Sequence, residues 1–581
     1  MNMYIRTTVQ FIVSMTCCLC TLAGVFGGCT QNTQPSDERL APIRLSQIET
    51  DSNESKDLSL DKADALHYQR ATAPLPKGLL IDDSSRVLFS PNDPTLSVEL
   101  ALINRVITEC LNDPERQSEY RIRYAVYNLT SELITQELIK AAQAGVHVQV
   151  LIESEQLNQN RTWNLVNERF LSAGLSVEYD HRYLKDEEHR DVNLIGIEAR
   201  GLMHMKMRLY ETPHWRRLLT GSLNPNTTSY LNDESLHLIS DSQIINQYKI
   251  AYESLLYDWP FENEWHEDAG LNVLFTPGNH EERAIDRIFQ WIAAEEEQIL
   301  LMIFALRDLT APSDSRSLVD LLKEKAASGV PVYVITDRKQ SDGVNNWGEP
   351  VSDDDPTEDQ LRQAGIPVYE VLNHATPYTA MHHKVAVLGL ENIKVISGAA
   401  NWSYSGLGSR DRKARNVESV LFINSAKLDH NHTGYRFIAQ WMRVLWRYAS
   451  QSEELDQERS ALDLFSKLSS SQHWPNIQVS FEIETQSDLD GDELAVTGDL
   501  EQLGWWGLHG YHPLIHNEED QIYWRSLDVI TAPIGLPVNW KTIAINDKGE
   551  ILRWENRNHR TEILSPSITQ ENLVTLKGVW K

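Results

Sequence analysis

Two short triplets in this sequence could move a phosphoryl group. His204-Met205-Lys206 and His382-His383-Lys384 each set an imidazole and an ammonium two positions apart, and residues two apart on an extended strand project to the same face. Each triplet is followed by Gly-x-x-Asn, as Gly221-Ser222-Leu223-Asn224 and Gly398-Ala399-Ala400-Asn401, and then by a glutamate opening a β-like run, Glu234 and Glu418. Chance gives about one His-x-Lys in a chain this long, but not two with the same followers. One neutral imidazole can attack phosphorus and form a phosphohistidine while the opposite imidazolium protonates the departing alkoxide. Lys206, Lys384, Asn224 and Asn401 can hold the non-bridging oxygens. A buried glutamate on each histidine would fix its tautomer and tune its pKa. Two histidines in one cleft titrate as a pair, which predicts a bell-shaped rate profile. This chemistry needs no metal and no cofactor.

The elements that must position these groups are also written twice. Val87-Leu88-Phe89-Ser90-Pro91 returns as Val273-Leu274-Phe275-Thr276-Pro277, and Ala144-Gly145-Val146 as Ser328-Gly329-Val330. Ala173-Gly174-Leu175-Ser176-Val177 returns as Ala364-Gly365-Ile366-Pro367-Val368. Where the Ala/Ser-Gly pair occurs, a helix-period segment ends and a β-branched strand begins. The offsets, 177 to 191 positions, are too long for a solenoid and fit a duplicated domain. The expected fold is α/β: two tandem α/β sandwich repeats, over 81–262 and 270–450, packed face to face so that both His-x-Lys pairs meet in one cleft.

These motifs resemble the phospholipase D superfamily, whose signature is His-x-Lys, four residues, Asp, then Gly-Ser-x-Asn and a downstream Glu. The resemblance covers roughly 81–450. It implies His204 as nucleophile, His382 as general acid, Lys206, Lys384, Asn224 and Asn401 as phosphate binders, and Glu234 and Glu418 as the carboxylates that orient the histidines. Three positions depart from the pattern: Glu211 and Gly389 stand at the Asp position, and Ala399 replaces the second motif's Ser. His383, beside the motif, should face away from it and be structural, and His181, His189 and His214 read as loop or surface residues.

The formal net charge of −30 makes nucleic acid a poor partner, because phosphate-backbone binding wants a basic footprint. Cys17, Cys18, Cys20 and Cys29 lie in the leader and Cys110 is alone in the body, which excludes a disulfide framework there. Residues 1–28 read as a secretory signal. Val25-Phe26-Gly27-Gly28-Cys29 resembles a bacterial lipoprotein box, with Phe26 where Leu is usual, so Cys29 is the expected lipidation site. Residues 29–80 are polar and read as a disordered tether. The expected location is the bacterial cell envelope, membrane-anchored, with the outer membrane as one candidate, or otherwise secreted.

After a linker over 451–474, residues 475–581 alternate in short strand-like runs bounded by turn residues, as a β-sandwich does. Seven of the sixteen tryptophans fall at or after Trp474. A sandwich core needs one or two, so the rest are expected outside, where flat aromatic faces suit sugar rings. Leu503-Gly504-Trp505-Trp506, Trp540-Lys541, Trp554-Glu555 and Arg560 resemble the starch-binding module of carbohydrate-binding family 20. That resemblance implies Trp506 and Trp554 as the aromatic platform, with Lys541, Glu555 and Asn558 as polar contacts; His559 stands where the family has Asn. Trp524 is assigned to the core.

The expected activity is hydrolysis of a phosphodiester, a phospholipid headgroup first, by a monomeric, lipid-anchored enzyme held on starch or a glycogen-like α-glucan. Transfer of a phosphatidyl group and attack on a phosphorylated glycan are alternatives through the same intermediate. A non-catalytic glucan-binding surface lipoprotein is the alternative from another class.

Overall fold

The apolar runs of the middle of the chain form two mixed sheets whose strand orders match but for one added strand. The structure is a computed structural model that describes residues 69–581 apart from 81–83, 158–164, 185–188, 280, 346–348, 351, 353–354, 377–378, 449–457, 487–488, 490–491, 518–519, 570–571 and 581. The leader, Cys29 and most of the tether lie outside the described residues.

The first sheet contains β1 (Arg86–Ser90), β2 (Arg121–Val126), β3 (His147–Glu153), β4 (Val177–Glu178), β5 (Leu194–Ile197), β6 (Lys206–Glu211), β7 (Arg216–Gly221) and β8 (Glu234–Ile239), in the order β1-β8-β7-β6-β2-β3-β5-β4. The second contains β9 (Leu271–Thr276), β10 (Ile299–Ile303), β11 (Val332–Asp337), β12 (Val368–Val371), β13 (Lys384–Leu388), β14 (Lys394–Gly398) and β15 (Glu418–Asn424), in the order β12-β11-β10-β13-β14-β15-β9. Read from opposite ends these orders coincide except that the first sheet carries an extra strand, β5, between β3 and β4. In both, the strand opening on the motif lysine pairs antiparallel with the first strand of a parallel set. The duplication read from the sequence is thus a duplication of topology.

The local signals work as their chemistry requires. Ser131 and Ser317 cap helices Glu132–Gln143 and Leu318–Ala327 through their side chains. Both helices end at glycines in the left-handed region, Gly145 at φ +93° and Gly329 at φ +95°, where a side chain would be strained. Strands β6 and β13 are buried along their whole length. After its lysine β13 is continuously apolar, as a strand covered on both faces is, whereas β6 buries Arg208 against Glu99 and Glu211 against Arg123.

One apolar core runs between the two sheets and on into the C-terminal domain: Met207 and Tyr248 of the first repeat, Val385 and Leu421 of the second, and Phe481 and Trp540 all belong to it. Helix His432–Arg447 sits at this junction with Phe437, Trp441, Val444 and Leu445 buried, each worth roughly 1.5–3 kcal/mol on transfer from water.

Two expectations are corrected. The segment 451–474 is not simply a linker: it carries helix Glu458–Ser469, with Ala461, Leu464, Phe465 and Leu468 buried. Their spacing is the apolar stripe of a packed helix. The tether also ends earlier than residue 80, since Ala71 and Leu79 are buried and Arg105 Nη1 donates to Leu80 O at 2.7 Å. Cys110 is buried and free. Among the described residues no helix is long and apolar enough to cross a membrane.

The C-terminal domain is all-β. Its strands are β16 (Asn476–Thr485), β17 (Glu493–Gly498), β18 (His512–Asn517), β19 (Asp520–Ser526), β20 (Ile530–Pro533), β21 (Pro537–Ile545), β22 (Ile551–Trp554), β23 (Arg560–Ile563) and β24 (Leu573–Trp580). Trp474, Trp524, Trp540 and Trp580 are all buried, so the core takes four tryptophans where one or two were expected, and Trp524 is core as assigned.

Candidate active site and sugar platform

Both His-x-Lys triplets converge on one site because the strand lead-ins cross between repeats. Met203 forms a parallel bridge with Val417, and Asp233 with Met381. His204 N donates to Val417 O at 2.9 Å and His382 N to Asp233 O at 3.0 Å. The histidines therefore precede their strands, which open at Lys206 and Lys384, and each is pinned by backbone from the other repeat.

The carboxylates cross in the same way. His204 Nδ1 lies 2.7 Å from Glu418 Oε2, and His382 Nδ1 lies 2.9 Å from Glu234 Oε2. Both glutamates are fully buried. Their second oxygens accept from Asn416 Nδ2 at 3.2 Å and Asn232 Nδ2 at 3.0 Å. The same asparagines accept from Leu202 N and Ala380 N through Oδ1. With Nδ1–H held by a carboxylate, Nε2 of each ring is the free nucleophilic or basic nitrogen. Lys206 Nζ donates to His204 O and Lys384 Nζ to His382 O, each at 2.7 Å. Tyr127 meets the His204 ring edge-on at 5.2 Å, and Phe304 meets His382 at 4.7 Å.

Burial dominates the electrostatics. It lowers the His204 pKa despite Glu418 and pushes His382 down to about 3 despite Glu234. Burial also lowers Lys206 to about 8, and it drives Lys384 well below the usual lysine range, with Lys206 among the opposing charges. Each histidine feels the lysine of the other repeat, as groups sharing one cleft do. Asn224 Oδ1 and Asn401 Oδ1 are buried without a hydrogen-bond partner. An amide flip puts an N–H₂ in that place, so both can present a donor to a phosphate oxygen.

The departures from the motif prove to be matters of support. Glu211 pairs with Arg123 and lies 3.6 Å from Lys249, on the end of β6 away from Lys206. Gly389 turns at φ +85°, and Glu297, two residues before β10, accepts from Leu390 N and Glu391 N there. Ser222 Oγ accepts from Ser235 N at 3.0 Å. Ala399 lacks that bond yet keeps the matching backbone one, Ala399 N to Ser419 O at 2.9 Å. The preceding glycines are needed in both repeats, because a Cβ at Gly221 or Gly398 would come within 2.2 Å or 2.4 Å of a carbonyl oxygen.

Several supporting residues were not singled out from the sequence. Asn232 and Asn416 form a second repeated signal, Asn-x-Glu, that could have found them. Tyr127 and Phe304 each stand just after the strand beside the motif. Glu153 and Asp337 end β3 and β11 and accept from Met203 N and Met381 N; burial raises both to about 7. His383 is buried with Nε2 3.2 Å from Gln440 Nε2, a structural place as expected. His181 and His189, read as loop or surface residues, are buried: His181 Nδ1 accepts from Glu198 N, and His189 packs on Tyr257.

In the C-terminal domain, Gly504-Trp505-Trp506-Gly507 runs through four consecutive left-handed residues, with φ of +73°, +48°, +61° and +80°. Bulky residues take this conformation at about 1–2 kcal/mol each, and such cost marks places where geometry serves a ligand. The turn presents Trp505 outward, leaves Trp506 half-buried against His559 at 5.7 Å, and brings Gly507 beside the exposed Trp554. Lys541 is half-buried and Asn558 exposed. Glu555 differs from its expected place on the sugar face: it is 4 % exposed, and its oxygens take both Arg560 Nη groups and Thr542 N. It braces the platform from beneath, because a carboxylate followed by a strand-borne Arg closes on itself.

Comparison with known proteins agrees with these two parts. The family described as "Cardiolipin synthase, PLD-like domain" matches residues 115–256 and 288–441, together just over half of the chain, and the starch binding domain matches 476–572. No curated protein matches. Among solved structures, a polyphosphate kinase from Porphyromonas gingivalis is 17% identical over 64% of this chain, with a TM-score of 0.40. The chain spans 50% of that kinase's length. The phospholipase D family member Nuc from Salmonella typhimurium is 19% identical over 32% of this chain and 95% of its own, with a TM-score of 0.23. The family 20 module of a maltotetraose-forming amylase from Pseudomonas saccharophila is 19% identical over 18% of this chain and 99% of its own, with a TM-score of 0.14. With both repeats matched and both motifs in one site, the chain belongs to the PLD-like domain family, as a tandem of two repeats followed by a starch-binding domain.

Proposed function

We propose that this protein is a phosphodiesterase that cleaves its substrate, a phospholipid headgroup first among the candidates, through a phosphohistidine, while its C-terminal domain holds it on an α-glucan. The observation that carries this reading is the crossed pairing of His204 with Glu418 and His382 with Glu234, which gives two oriented imidazoles and two ammoniums to one hollow.

Nε2 of neutral His204 attacks phosphorus in line with the leaving oxygen, and a P–N bond forms as the P–O bond breaks. Lys206, Lys384, Asn224 and Asn401 hold the non-bridging oxygens. His382 gives its proton to the alkoxide, then takes one from the water that attacks the phosphohistidine, and His204 leaves. Burial and the nearby Lys384 and Lys206 lower the His382 pKa. The negative charge of a bound phosphodiester, set against both lysines, raises it toward the protonated form that a general acid needs. An alcohol in place of water would make the same site a transferase.

Anchoring through Cys29, export to the cell envelope and action as a monomer belong to this proposal as well.

A panel of phosphodiesters assayed in EDTA, with and without soluble starch, tests it. Turnover should persist in EDTA, vanish in His382→Ala, and leave acid-labile phosphate on His204 after quenching. Turnover that needs a metal, or none in the wild-type chain while starch retention persists, would overturn the catalytic reading.

A further inference from the structure

The two repeats differ in the length of the loop that joins the motif asparagine to the orienting glutamate. From Asn224 to Glu234 the chain advances ten positions, but from Asn401 to Glu418 it advances seventeen. The longer loop contains Ser409-Arg410-Asp411-Arg412-Lys413-Ala414-Arg415, four cations and one carboxylate in a chain of net charge −30. Its ends are sewn to the active site. Ser403 N donates to Asn401 O at 2.8 Å, and Asn416 N to Ser405 O at 3.0 Å. Thr276, opposite Glu418 in the strand register, donates through Oγ1 to Gly406 O at 2.9 Å and Asn416 O at 3.1 Å.

Between this loop and the segment around Thr276 and Arg283 lies a cavity of about 280 Å³, lined by Arg283, Arg410, Arg412 and Lys413, with Asp411 its one acidic wall residue. That is near the lower limit for a small-molecule site, about 300 Å³, so it suits one charged group rather than a whole ligand. Among the described residues Arg412 pairs with no carboxylate and lies 5.4 Å from the Tyr404 ring. Arg410 donates to a carbonyl, that of Asp314.

Resting on the reading of the site given above, we propose that this cavity is an anion subsite that receives a second phosphate group of the substrate beside the scissile phosphodiester. Clustered cations on low-dielectric walls raise the local concentration of such a group even on an acidic protein. The second phosphate could arrive on a lipid headgroup or on a phosphorylated glycan, and the chemistry at the subsite is the same.

The test uses the full-length chain with R410A/R412A and the charge-keeping R410K/R412K. Three substrates are compared: bis(p-nitrophenyl) phosphate, with one phosphate; micelles of a phospholipid whose headgroup carries a phosphate monoester; and a glycan phosphodiester carrying a phosphate monoester. R410A/R412A should lower kcat/KM at least tenfold on one or both of the doubly phosphorylated substrates, mainly through KM, and leave the singly charged ester unchanged, while R410K/R412K retains most of the rate. The arm that responds identifies the source. Equal losses on all three substrates, or no loss on either doubly phosphorylated one, would overturn the subsite. Inorganic pyrophosphate binding to His382→Ala separates this inference from the catalytic one. A Kd weakened tenfold by R410A/R412A supports the subsite even if no ester is turned over, and an unchanged Kd refutes it.

Discussion

Glu234 Oε2 sits 2.9 Å from His382 Nδ1, although 148 positions and two different sheets separate them. The repeats are therefore not two half-sites that happen to be adjacent, because each supplies the orienting carboxylate for the other's imidazole. Glu234→Gln should cripple His382 while leaving the other crossed pair, His204–Glu418, intact. An amide can donate to Nδ1 and select the wrong tautomer, an effect worth about 10⁴ in kcat where it has been measured in a hydrolase triad. A fall in kcat of about 10²–10⁴ with little change in KM is expected. Steady-state kinetics check it; a loss confined to KM would mean that the carboxylate binds substrate instead.

Acid should destabilise the fold in a calculable way. Burial holds His237, His382 and His383 at about 3 and His432 at about 4, against about 6.5 when unfolded. A base with a depressed folded pKa favours the unfolded chain as pH falls below its unfolded value. Glu153 and Asp337 work in the opposite sense, since burial raises both to about 7 and the folded state holds their protons. Between pH 6.5 and 4.5 these six groups decide the sign. At pH 6.5 the half-titrated histidines of the unfolded chain nearly cancel the protonated carboxyls of the folded one, and toward pH 5 and below the histidines win by about two protons. At about 1.4 kcal/mol per proton and pH unit, stability should fall with pH across that window, by up to about 3 kcal/mol per unit at its lower end. Thermal melts at half-unit intervals measure this, and a Tm that is flat or rises toward pH 4.5 would contradict it.

What was legible in the sequence was whatever the duplication repeats. The two-repeat α/β architecture, the glycine exits at Gly145 and Gly329 and the eight polar residues of the candidate site all follow from segments written twice, whereas strand β5, which has no counterpart in the second sheet, does not. The crossing of Glu234 and Glu418 was not legible, because motif spacing fixes where a residue lies along its own strand and not which sheet faces it. Nor was the burial of Glu555, whose partner Arg560 was in view but whose direction depends on how β21 and β23 pair. The helix at Glu458–Ser469 was missed for a plainer reason: its apolar stripe is short and sits in polar sequence, so composition hid the periodicity.

Ser222 and Ala399 allow the two repeats to be played against each other. Ser222 Oγ closes one bond to Ser235 N, and Ala399 does without it. If the hydroxyl is only a strand brace, Ser222→Ala costs about one hydrogen bond, about 1 kcal/mol of stability, and changes kcat less than tenfold. Gly398→Ala should be far worse, since its Cβ would meet Ser419 O at 2.4 Å at a φ of +140°. Urea melts and turnover on one substrate rank the two variants; a Ser222→Ala enzyme that folds normally but loses activity would place the hydroxyl in the chemistry.

The tryptophans of the C-terminal domain divide by exposure, and that division predicts two different failures. Trp554 is 44 % exposed and Trp540 fully buried. Replacing Trp554 by Ala removes a flat apolar face from the surface, so retention on insoluble starch should fall at least tenfold while melting temperature and turnover of a soluble ester stay as they were. Trp540→Ala empties a core position packed on Phe481 and under Arg560, a change that costs about 3–5 kcal/mol. Because Phe481 and Trp540 belong to the core that continues between the two sheets, this loss should reach the phosphate site and lower turnover as well. Starch pull-down, melting and ester hydrolysis on both variants separate the cases. If Trp540→Ala abolished starch retention but left turnover and the main melting transition untouched, the continuous core would not couple the two parts energetically.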